Sequence, residues 1–308
     1  MVKSVIIKVV VALIGILAVI FGRGFFYHDG FYQAPPIEIP TYTQIAVPLA
    51  PSAEYSDSLI MAKGTVLFDI AHENAFNIEE LNVLILRLVT RGLTVDFLSV
   101  EDNLVEKLLG EQKDSGLEYT NNVGQEEAVE EEDEEKEPLP SAFIVICPQE
   151  KFTGDDIKNI SKFVKDGGKL LLIDDPTRRG QTNSLSYNFG LVFEPDYLYN
   201  MRENDANYRN IFITKFEENR ITEALRKIVL YTAGSISSDN LSIAFGDENT
   251  FSSQIETRKE LSPLALAEES KVLAIYDLTF LTEPYNGILD NNQLISNIAS
   301  WLASNTHE

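Results

Sequence analysis

Between residues 63 and 173, four short β-rich runs alternate with three helical patterns, and this alternation restricts the fold more than any other feature of the chain. The run 64–69, GTVLFD, is apolar at successive positions, as a strand buried on both faces must be. Residues 77–92 read as a helix with Ile78, Leu81, Ile85, Leu88 and Val89 on one face. Asn77 caps it with Glu80 three positions on, and Gly92 ends it. Strand 94–98, helix 101–109 and strand 142–147 follow, then a helix to residue 165 that opens on the capping pair Thr153 and Asp156. Gly167 and Gly168 close that helix before strand 169–173. Such an order places successive strands parallel with helices over them, so the expected class is α/β with a doubly wound, mostly parallel sheet. Beyond Pro176 the runs 210–214, 227–232, 241–245, 264–267 and 271–276 read as strands, with Glu268-Glu269-Ser270 as a tight connection between the last two. Residues 291–303 form a closing helix with Leu294, Ile298, Trp301 and Leu302 inward.

The ends of the chain and one interior block are different in kind. Lys3 and Lys8 precede an uncharged run, 9–22, which Arg23 and the aromatic residues Phe25, Phe26, Tyr27, Phe31 and Tyr32 follow. Residues 4–22 rise about 28 Å as a helix, just enough for a hydrocarbon core if the Lys8 ammonium snorkels to the headgroups. The flanks fit an uncleaved anchor, 1–24, in a cell membrane, crossing it once. A cleaved signal peptide is the alternative, but Phe21-Gly22-Arg23-Gly24 is a poor cleavage site. The lysines place the N-terminus in the cytoplasm and the main domain outside it. Residues 25–62, with Pro35, Pro36, Pro40, Pro48 and Pro51, read as an extended stalk or linker to a domain spanning 63–304. Within that domain, 126–137 holds nine acidic residues and one lysine, and with its flanks, 110–140, reads as a disordered insertion.

Lys and Arg number 25 against 48 Asp and Glu, a net charge of −23 that excludes binding of nucleic acid by phosphate neutralisation. A single cysteine, Cys147, and three histidines exclude an intramolecular disulfide and a structural zinc site. No cofactor and no metal are expected.

Six segments in order carry a family resemblance: FDIAHENAF (68–76), FIVICPQEKFT (143–153), FVKDGGKLLLIDDP (163–176), NFGLVFEPD (188–196), VLAIYDLTFL (272–281) and DNNQLISNIASWL (290–302). Together they resemble an uncharacterised family, domain of unknown function four-three-five-zero. That family is similar in fold to class I glutamine amidotransferases, of flavodoxin-like topology, and to gliding-motility-type ABC transporter auxiliary proteins. The resemblance implies a part auxiliary to a membrane complex. It also marks a departure: where the amidotransferases place a nucleophilic Cys after the strand equivalent to 169–173, this chain has Asp174-Asp175-Pro176. No catalytic residue is therefore assigned, and Cys147, directly before Pro148, reads as a small buried apolar residue.

In open parallel sheets, ligands bind outside the carboxyl ends of the strands. Asp69 ends the first strand with His72 and Asn74 just beyond it, Asp174 and Asp175 end the fourth, and Asp277 ends a late one. These six are expected to ring one crevice able to hold a small polar ligand; the other reading of the same residues is that Asp174 and Asp175 cap the next turn and His72 donates to a backbone carbonyl. The functional expectation is a membrane-anchored, non-catalytic extracytoplasmic binding domain, with an ABC-type transporter or another membrane protein as partner. The alternative is a metal- or carboxylate-dependent hydrolase in the same crevice.

Overall fold

A computed structural model describes residues 2–27, 47–52, 55, 60–110, 139–239, 241–254 and 260–304. The chain divides into two compact units, Met1–Ile45 and Ala46–Glu308. In the first, helix α1 (Val2–Tyr27) has no buried face and is long and apolar enough to cross a membrane. The acidic block 126–137, with most of the stretch 110–140, lies outside the described residues.

In the second unit, strand β1 (Gly64–Asp69) leads through a short 3-10 turn, Ile78–Leu81, into helix α2 (Asn82–Thr90). Next come β2 (Leu93–Leu98), α3 (Leu104–Leu109), β3 (Pro140–Ile146), α4 (Gly154–Lys165) and β4 (Lys169–Ile173). After the single turn α5 (Asn183–Ser186) the described residues form ten strands: β5 (Leu191–Phe193), β6 (Leu198–Asn200), β7 (Asn210–Ile213), β8 (Lys215–Phe216), β9 (Ile228–Tyr231), β10 (Ile236–Ser238), β11 (Ser242–Phe245), β12 (Thr250–Ser252), β13 (Leu264–Ala267) and β14 (Val272–Ile275). Helix α6 (Asn291–Ala303) closes the domain.

The main sheet has the order β2-β1-β3-β4-β14-β13-β11-β8. Its first five strands are parallel and the last three pairings antiparallel. Alternate residues of each central strand enter two different cores, which is the two-residue period of a strand read twice. Val66, Phe68, Ile144, Ile146, Leu171, Ile173, Leu273 and Ile275 join Leu84 and Leu88 of α2 and Leu294 and Ile298 of α6. Leu67, Phe143, Val145, Leu170, Leu172 and Val272 join Leu108 of α3 and Ile160 and Phe163 of α4. The structure is thus mixed α/β around a large, mostly parallel sheet with apolar packing on both faces.

Two expectations change, and two expected strands form in a ladder of their own. The stripe that α2 buries is Leu81, Leu84 and Leu88, while Ile78 and Val89 are 42% and 53% exposed. The cause is the 3-10 turn at its start, which advances the face by three residues per turn rather than 3.6. Helix α3 begins at Leu104 instead of 101, because Asp102 turns back to accept the Ser99 N–H at 2.7 Å and Asn103 caps the helix. The expected strands 210–214 and 227–232 pair with each other, as β7 and β9, outside the main sheet.

The lead-in also differs from a free stalk in its described part. Leu49 N donates to Asp205 Oδ1 at 2.9 Å, Ser52 N to Gly287 O at 2.6 Å and Ala62 N to Arg91 O at 2.8 Å. The Arg87 guanidinium lies 4.1 Å above the Tyr55 ring. These contacts lie within the second unit.

Candidate functional site

At the carboxyl end of β1 the chain folds back on itself. Asp69, 1% exposed, accepts the His72 Nδ1–H at 2.9 Å on one oxygen and lies 3.0 Å away on the other. Asn74 Nδ2 donates to Asp69 Oδ2 at 3.2 Å and to the Ile146 carbonyl at 2.8 Å, tying the loop to the end of β3. The His72 carbonyl accepts N–H bonds from Gln149 and Glu150 at 2.8 and 3.1 Å, and its ring stacks on Phe152 with centroids 3.9 Å apart. From the other side Arg178 reaches the Ala75 carbonyl and both carboxylate oxygens of Glu80. The imidazole is held in place rather than swinging in solvent.

His72 faces a cleft of about 660 Å³ between the loops after β1, β2 and β3, which Glu101, Asp102, Thr153, Asp155 and Asp156 also line. Burial of the ring works against its charge, but the Asp69 hydrogen bond and the charges of Asp69, Asp156 and Glu150 outweigh it and raise the His72 pKa above 6.5. A histidine whose folded pKa is raised adds stability below the unfolded value, and that stability is lost as pH rises through the folded value. His72→Gln is therefore expected to destabilise the domain by about 1.5–3 kcal/mol at pH 5.5, the range for a hydrogen bond to a charged group, and by less at pH 8.5. Urea unfolding at the two pH values measures this, and equal losses at both would contradict it.

The other carboxylates are used differently. Asp175 accepts Thr177 N at 2.8 Å and Leu278 N at 3.1 Å. Asp277, fully enclosed, accepts Tyr231 N at 2.7 Å and Thr279 N at 2.8 Å. Its pKa is pushed well up by burial and by the charge of Asp175. The Asp174 carboxyl is 5% exposed, accepts the Asp175 N–H at 2.9 Å and packs on Gly180, where a Cβ would fall 2.1 Å from Oδ1. Burial pushes it up to about 6, with Asp175 adding.

The six residues thus do not ring one crevice. Asp69, His72 and Asn74 form one bonded group, of which His72 lines the cleft and Asn74 a smaller hollow with Ile70, Phe76, Ile78 and Phe97. Asp174, Asp175 and Asp277 form an enclosed second group whose oxygens turn to backbone N–H groups. Among the described residues no three His, Cys, Asp or Glu side chains converge in a metal-holding arrangement.

Cys147 follows directly on β3 at a φ of +43°. Its N–H is bound to Ile173 O at 2.8 Å, its side chain is wholly buried, and burial with the charges of Asp174 and Asp175 pushes the thiol far up. A thiolate, the reactive form, is suppressed there. The hydroxyls lining the cleft are also engaged, since Ser99 Oγ donates to Asp102 at 2.7 Å and Thr153 Oγ1 to Asp156 at 2.6 Å. The cleft residues Glu101 and Asp155, and Phe152 under the His72 ring, escaped the sequence reading. Their one signal is position, in the loops that follow β2 and β3 on the ligand-bearing side of a parallel sheet.

The sequence matches no protein-family model and no curated protein. Twelve solved chains match the structure. The N-terminal domain of mmIFT52 superposes with a TM-score of 0.57 at 15% identity, over 78% of this chain and 97% of that one. A ThuA-like protein from Parabacteroides merdae gives a TM-score of 0.38 at 9% identity, over 79% of this chain and 90% of that one. The first likeness is one of fold.

Proposed function

We propose that the chain is a membrane-anchored, non-catalytic binding domain that stands outside the cytoplasm and takes a small polar ligand in the His72 cleft. The observation that carries this reading is the contrast between His72 and the other reactive groups. His72 is braced by Asp69 against an open cleft, while Cys147, Asp174, Asp175 and Asp277 are enclosed. The β2-β1-β3-β4 order with helices packed on both faces supports a doubly wound, flavodoxin-like sheet related to the amidotransferase-like family. Within that reading, a membrane complex of the ABC transporter type is the partner we propose.

Two measurements test it. Protease added to intact cells is expected to degrade the domain while α1 keeps its fragment in the membrane, and a protected domain would overturn the orientation. In the second, the full-length protein in nanodiscs is screened by thermal shift against glucose, N-acetylglucosamine, MgCl₂ and CaCl₂. A stabilisation that His72→Ala abolishes supports the cleft, and identical profiles for both proteins reduce His72 to a structural residue.

A second reading draws on the same pair. A histidine whose Nδ1 is fixed by a carboxylate can serve as a general base on a water molecule, which makes a carboxylate-dependent hydrolase the alternative. Ester turnover by the wild type that His72→Ala removes would favour it.

A further inference from the structure

The opposite end of the sheet, where β1 and β2 begin, carries a second and larger hollow. It measures about 880 Å³, within the range of small-molecule sites, and lies between residues 60–63, Gly92 and one face of α6. On that face Gln293, Ser296, Asn297 and Ser300, with Ser304 just past the end of α6, recur at three- and four-residue spacing beside Trp301 and Ala303. Ser296 and Asn297 are 2% and 8% exposed, so the helix keeps polar groups in a largely buried setting.

Two buried cations stand directly behind this stripe. Arg91, wholly enclosed, donates to Ser300 Oγ at 2.9 Å and to Ser296 Oγ at 2.9 Å. Lys169, 4% exposed, donates to Ser304 Oγ at 2.8 Å and to the carbonyls of Trp301 and Ser304. At the rim the exposed side chains of Lys63 and Arg220 line the hollow, and Glu223 is the acid among its described lining residues. Burial, with the charge of Arg220 adding, brings the Lys169 ammonium down to about 8. These positive groups belong to a chain of net charge −23. A long-range field this negative repels anions, so an anion would be held here only by close, directed contacts.

We propose that this hollow is a second ligand site, specific for a small oxyanion, a carboxylate- or phosphate-bearing molecule. Arg220 and Lys63 contact the anion, and Gln293 and Ser300 meet the polar remainder of the ligand. The site is independent of the His72 cleft.

Trp301 lines the hollow and is the one tryptophan of the chain, so its emission reports occupancy directly. The full-length protein in nanodiscs is titrated with sodium phosphate and, separately, with sodium succinate, at an ionic strength held constant with NaCl. A saturable change in Trp301 emission is expected with at least one of them, and which one responds assigns the phosphate or the carboxylate class. The midpoint is expected to rise about tenfold or more in the Lys63→Ala/Arg220→Ala double variant, which loses two charge-assisted contacts, and to stay unchanged in His72→Ala. Both substituted side chains are exposed, and an unchanged thermal melt of the variant confirms that it folds. No saturable response to either anion, or equal titration of the double variant and the wild type, overturns the proposal.

Discussion

Asp174→Asn is expected to stabilise the domain at pH 7 by as much as about 3 kcal/mol. The carboxyl is raised from 3.8 to about 6 by burial, and each pKa unit corresponds to about 1.4 kcal/mol between the two protonation states. The sign follows from linkage. With a folded pKa above the unfolded one, stability is full below pH 3.8 and is lost as pH rises to about 6, because the unfolded chain ionises first. At pH 7 the folded state holds a carboxylate that burial disfavours. Asparagine removes that charge and keeps an oxygen for the Asp175 N–H, which Asp174 accepts at 2.9 Å. Packing on Gly180 is preserved, since the two side chains are nearly isosteric. Denaturant unfolding at pH 7 and pH 3.5 measures the effect. The gain should vanish at the lower pH, and a variant less stable than the wild type at pH 7 would show that Asp174 contributes through a contact that needs its charge.

How much of this was legible beforehand depends on the range of the interactions involved. Strands β1, β3 and β4 could be read because successive residues on both faces are buried, so Val66-Leu67-Phe68 and Leu170-Leu171-Leu172 are apolar without interruption. The Thr153 and Asp156 capping pair was legible for the same local reason, and Asp156 N donates to Thr153 Oγ1 at 3.2 Å as expected. The ladders β5 with β10 and β6 with β12 were not, since a three-residue strand displays too little of its period to be recognised. The site divides along the same line. Asp69, His72 and Asn74 lie within six residues of chain, so their clustering at the end of the first strand was legible, although the Asp69–His72 bond was not. Whether a carboxylate at a strand end is free depends on where the N–H groups of distant loops point. Asp175 is claimed by Leu278 N, 103 residues away, and Asp277 by Tyr231 N, 46 residues away. Neither partner has a sequence signature.

Asp277 gives the second large effect, in the opposite direction. Its two oxygens receive the N–H groups of Tyr231 and Thr279 at 2.7 and 2.8 Å, and the Phe280 N–H contributes a further bond. With the side chain 0% exposed, bulk water cannot replace it as acceptor. Asp277→Ala leaves these buried donors without a partner, at about 1–3 kcal/mol for each unsatisfied group. Removing the charge relieves its repulsion with Asp175 and offsets part of that loss. The net cost is expected to be about 3–5 kcal/mol, a large fraction of the stability of a typical domain. Asp277→Asn, which keeps one acceptor oxygen and discards the charge, should cost about 1–2 kcal/mol. Comparing the two variants by urea unfolding separates the roles open to this carboxylate. A group kept for ligand binding would tolerate alanine with little change in stability. If Asp277→Ala lies within about 1 kcal/mol of the wild type, the loops after β9 and β14 are not held by Asp277, and its place in the enclosed group must be reassigned.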